Sequence, residues 1–135
     1  MQQSLKLVTG LLVAGFAAGQ ISLAVQRVQS KGRDEAAAHA LTGGDAQRGR
    51  QAALRYQCGA CHEIPGVPRA AGQTGPSLAK VADRVFIAGR LSNNPTDLIR
   101  WIRAPQSINP GGGMPDLGVT EADGRDIAAY LYTLR

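Results

Sequence analysis

Cys58-Gly59-Ala60-Cys61-His62 places both cysteines of the chain and one of its two histidines within five consecutive positions. Two thiols separated by two residues, with an imidazole directly after, suit covalent capture of a haem. Each sulfur can add to one vinyl group, and the histidine is then carried under the iron. The other chemistries open to this pair fit less well. A thioredoxin-like dithiol follows a strand of a βαβ pattern, and no such pattern precedes Cys58. Structural zinc needs four ligands, and the chain has no second cysteine or histidine pair. A disulfide across two residues closes too short a loop to stabilise much.

An iron held by His62 still needs a second axial ligand. Apart from the initiator, Met114 is the only methionine, and it lies in Asn109-Pro110-Gly111-Gly112-Gly113-Met114-Pro115. Glycines there let the backbone approach a flat macrocycle, and prolines restrict the loop. A core-filling methionine belongs on a helix face, so this one reads as a ligand. The competing side chain, His39, stands in a polar stretch well before Cys58 and reads as solvated. A thioether on the iron raises the potential and closes the coordination shell. Oxygen and peroxide then have no open position, so no catalytic residues and no small-molecule substrate are expected. The chemistry that remains is electron transfer.

Four stretches, taken in order, resemble a class I monohaem c-type cytochrome. They are Cys58 to Gly66, Gly75-Pro76-Ser77-Leu78, Asp97 to Arg103, and Gly113-Met114-Pro115. The similarity is to small bacterial cytochromes c and to the haem-c domains associated with haem–copper oxidases, and it covers residues 45–135. It implies an all-α cytochrome c fold, with three to five short helices around one haem c held by Cys58 and Cys61. It also implies His62 and Met114 as the axial pair, and the Pro76 carbonyl as acceptor for the His62 Nδ1–H. Leu78 packs on the macrocycle in this reading, while Trp101 and Arg90 are candidates to meet its propionates. A glycine of the first helix, Gly49, is expected beneath Tyr130 of the last, with Ala53 as the alternative contact. The implied function is one-electron transfer within a respiratory chain toward a terminal oxidase. The alternatives are a fixed cytochrome subunit of a periplasmic dehydrogenase complex, or a haem enzyme or gas sensor with an open iron. Oxidase or dehydrogenase proteins are the expected redox partners.

The elements that must position these residues are marked by caps. Asp45 opens a helix from Ala46 to about Gln57 that delivers Cys58 at its end. Asn94, Pro95 and Asp97 begin another, with Leu98, Ile99 and Ile102 on its apolar face and Ala104-Pro105 as its stop. Thr120 and Asp123 open the last, on which Ile127, Tyr130, Leu131 and Leu134 share one side. Aromatic residues make up only 4% of the chain, which leaves a small core for a haem to enlarge.

Residues 45–135 therefore read as the folded domain, 26–44 as a polar linker, partly helical at Asp34 to Leu41 and broken by Gly43-Gly44, and 1–25 as a membrane anchor or a signal peptide. Leu7 to Val25 carries no charge and would extend roughly 28 Å as a helix, close to the thickness of a bilayer core. Ser22-Leu23-Ala24 also suits a signal cleavage site. The anchored reading places the domain on the periplasmic side of a bacterial inner membrane, with residues 5–25 in the lipid. The cleaved reading leaves it soluble in the periplasm. Arg27, Lys31 and Arg33, just after the span, do not favour export of the carboxyl side of an uncleaved helix. The net charge of +5 is dispersed and offers no basic run to track a phosphate backbone, so no nucleic-acid role is expected.

Overall fold

The structure, a computed structural model, describes residues Gln2–Arg135, the side chains at positions 3, 4, 5, 7 and 8 apart. It divides into two compact units, one ending at Arg33 and the other spanning Asp34–Arg135. Helix α1 runs over Gln2–Thr42. Within the first unit Leu11, Val13, Phe16 and Ile21 are all exposed, and the apolar stretch is long enough to cross a membrane, with none of it buried. A helix that is apolar around its whole circumference fits a membrane anchor or a signal segment. The start of the expected lipid segment, at positions 5, 7 and 8, lies outside the described side chains.

The stretch expected as a linker is helical up to Thr42, and its second half belongs to the second unit. Ala38 and Thr42 are buried there, at 1% and 6% exposure. The cause is alanine, at positions 36–38 and 40. It has the highest helix propensity and is small enough to pack closely. Gly43, in the left-handed region at φ +67, donates its N–H to the His39 carbonyl at 2.8 Å and ends the helix. Thr42 Oγ1 then accepts the Gly44 N–H at 3.0 Å.

Asp45 caps α2 (Ala46–Arg55) by accepting the Arg48 N–H at 2.8 Å. The helix stops two residues short of the expected Gln57, because Gln57 itself turns left-handed at φ 55. Asn94 caps α3 (Pro95–Arg103) through the Asp97 N–H, and α4 (Pro105–Ile108) follows at once. Thr120 caps α5 (Glu121–Tyr132) through the Asp123 N–H. Between α2 and α3 lie 3-10 turns at Cys58–Ala60 and Val81–Asp83. A two-residue hairpin also falls there, β1 (Phe86–Ile87) against β2 (Leu91–Ser92), with Phe86 opposite Ser92. The fold is all-α around this small exception.

Helices α2 and α5 pack closely where Gly49 meets the last helix. A Cβ on Gly49 would collide with the Asp126 carbonyl and lie 2.9 Å from the Ile127 nitrogen. The closest approach is thus to α5 backbone one turn before Tyr130. The Tyr130 hydroxyl donates to the Pro65 carbonyl. Ala52, Ala53, Ala128 and Ala129 are each at most 1% exposed, so the crossing is built from side chains too small to hold the helices apart.

Candidate functional site

The left-handed Gln57 swings the chain out of α2, and the turn that follows draws the motif together. The N–H groups of Cys61 and His62 both donate to the Cys58 carbonyl, at 3.3 and 3.0 Å. Neither cysteine is in a disulfide and both are half-buried, and burial pushes the Cys58 thiol above its usual range.

His62 is oriented by the segment that follows. Its Nδ1 lies 2.8 Å from the Pro76 carbonyl. A carbonyl can only accept, so Nδ1 carries the proton and Nε2 keeps its lone pair for a metal. Gly75, held by its N–H on the Cys61 carbonyl at 2.8 Å, lies flat against the ring. A Cβ there would sit 2.6 Å from His62 Nδ1.

Cys58, Cys61, His62 and Met114 all line one cleft of about 550 Å³. A smaller inner cavity of about 150 Å³ shares Cys58, His62 and Met114 and is walled by Pro76, Leu78 and Trp101. Two thiols, an imidazole with a free Nε2, a thioether and apolar walls form the donor set and surroundings that a haem c requires. The residues present fit that group.

Arg90 is not brought to this site. It lies in the exposed turn between β1 and β2 and does not line either cavity. Arg84 lines the inner cavity instead. Its guanidinium donates to the carbonyls of Ser77 and, at 3.1 Å, Ala79. Nothing in the sequence singles Arg84 out, since its place depends on the turn at Val81–Asp83 and the course of the hairpin after it. His39 is also absent from the lining. Its Nδ1 lies 2.8 Å from the Gly44 carbonyl, at the end of α1.

Residues 46–135 match the model of the family described as Cytochrome c. The chain belongs to the cytochrome c family. Membership carries with it haem c as the cofactor and electron transfer as the general role, and the cysteines are spaced for covalent attachment. The chain is similar to cytochrome c oxidase subunit 2 of Alkalihalophilus pseudofirmus, 38% identical over 91 residues, which is 67% of this chain and 26% of that one. It is similar also to the proteins of that name from a Bacillus sp. and from Bacillus subtilis, at 33% and 32% identity over 89 residues. Those matches cover 63% and 64% of this chain and 25% of each relative. The chain thus spans about a quarter of the length of these relatives. No solved structure matches it significantly.

Proposed function

We propose that this cytochrome carries single electrons on a haem c bonded to Cys58 and Cys61, with His62 and Met114 as axial ligands, in a respiratory chain ending at a terminal oxidase. The observation that carries the reading is the convergence of all four side chains on one cleft. Bound there, haem c supplies a reversible Fe(II)/Fe(III) couple. The protein's part is to hold that couple still. The Pro76 carbonyl fixes the His62 ring, Gly75 backs it, and Leu78 and Trp101 exclude water from the inner wall. Arg84, which lines that wall, takes the propionate-binding role expected of Arg90, with Trp101 beside it. The likeness to oxidase subunits supports an oxidase as partner over a dehydrogenase. The apolar part of α1 supports attachment to a membrane, and in this reading the haem domain lies on its periplasmic side.

Replacing Met114 tests the ligand assignment. In Met114→Ala, intact-mass measurement should still find the haem attached. The potential should fall by at least about 60 mV, the equivalent of tenfold in a one-electron equilibrium. An unchanged potential would mean that another group binds the iron.

A further inference from the structure

The loop that presents Met114 contains three successive glycines, Gly111, Gly112 and Gly113. Such a segment loses more conformational freedom on ordering than any other, and left to itself it would not hold one side chain in place. Yet two carbonyls and an N–H of this loop meet a single side chain, that of Gln106 on α4. Its Nε2 donates to the Gly112 carbonyl at 2.9 Å and to the Met114 carbonyl at 2.6 Å. Its Oε1 accepts the Gly111 N–H at 3.0 Å. The Gln106 backbone N–H donates in turn to Asp116 Oδ1 at 3.1 Å, just beyond Met114. The clamp has a firm base, because the preceding residue, Pro105, is fully buried.

We infer that Gln106 is a positioning residue for the axial thioether: its amide ties the Met114 backbone to the core and thereby sets how firmly Met114 stays on the iron. The inference rests on Met114 being the ligand, as proposed above. Both N–H donors of the amide are in use, which makes the side chain specific. A carboxylate in its place would keep the bond from Gly111 but turn an acceptor toward two carbonyls. Neighbouring Ser107 provides a control. Its hydroxyl donates to the Ala104 carbonyl at 2.7 Å, within its own turn.

The test uses the full haem-loaded chain and two readouts, the methionine–iron charge-transfer band and a titration with imidazole, which competes for the iron. Gln106→Ala should weaken the band and raise imidazole affinity about tenfold, in line with losing one or two net hydrogen bonds. Gln106→Glu should do the same or more, and it is read in the same way if the alanine variant does not fold. Ser107→Ala should leave both readouts unchanged. A folded Gln106 variant with the band and imidazole affinity of the parent would overturn the inference. Met114→Ala, measured alongside, separates the two claims. If its band persists, the ligand assignment has failed; if its band vanishes while the Gln106 variants match the parent, only the positioning role has.

Discussion

At the scale of single residues, the imidazole of His62 is held between one hydrogen bond and one missing side chain. The bond to the Pro76 carbonyl sets its rotation, and Gly75 supplies the flat surface behind it. Gly75→Ala would bring a methyl group 2.6 Å from Nδ1 and 3.0 Å from Nε2, too near for the ring to keep its position. Overpacking of this kind costs about 1–3 kcal/mol. The haem-loaded variant should melt lower than the parent and show an altered potential; an unchanged melting curve and potential would show that the ring yields freely. Gly75 was visible in the sequence only as part of a motif, whereas Cys58, Cys61 and His62 were legible outright. Covalent attachment to one macrocycle demands a fixed local spacing, and local spacing is what a sequence displays. Arg84 and Gln106 had no such mark. One stands near the cavity because of a turn and a hairpin, the other near Met114 because a loop folds back.

Among the elements, the crossing of α2 and α5 joins close backbone packing to a charged tie. Asp126 of α5 accepts the Asp45 N–H at 2.7 Å and Arg48 Nε and Nη2 at 2.8 and 3.0 Å. Burial by itself would raise the Asp126 carboxyl. The hydrogen bonds from Arg48 and the Asp45 N–H, with the charges of Arg48 and Arg125, outweigh it and hold the group below the usual carboxylate range. A lowered folded value means that the unfolded chain takes up protons first as pH falls. The tie therefore contributes fully above the unfolded value, about 3.9, and is lost as pH drops through the folded one. Arg48 is largely exposed, so the contribution is modest. Asp126→Asn should lower the melting temperature by a few degrees at pH 7, and the gap to the parent should close below about pH 4. A gap of the same size at pH 3 would assign the effect to packing. The helices here were largely readable, because Asp45, Asn94 and Thr120 cap through short-range chemistry that needs no tertiary information. At the end of α1 the helix itself was readable, from Asp34 to Leu41 before the two glycines, but its packing was not: polar residues among alanines suit a solvated and a packed helix equally well, and the burial of Ala38 and Thr42 is a tertiary fact.

For the molecule as a whole, the compact unit that holds the family match begins earlier than the match itself does. The family match starts at residue 46, while the compact unit starts at Asp34. Three contacts account for the difference. Ala38 is almost fully buried, Thr42 joins the helix end to Gly44 through its hydroxyl, and a Cβ on Gly44 would collide with the Arg125 carbonyl of α5. This matters in a small domain in which alanine supplies seven of the eighteen buried hydrophobic residues among the described ones, since few other contacts can compensate for those lost at the edge. Burying a methyl group and making a net hydrogen bond each contribute about 1 kcal/mol. In a domain of this size 1 kcal/mol moves the melting temperature by about 4–8 °C. A haem-loaded chain starting at Asp34 should therefore melt like the full-length protein, and one starting at Asp45 should melt about 5–10 °C lower. Equal melting temperatures for the two truncations would make the end of α1 an attachment to the domain rather than part of it. A chain from Asp34 that melts well below the full-length protein would show instead that the apolar part of α1 contributes to the stability of the haem domain.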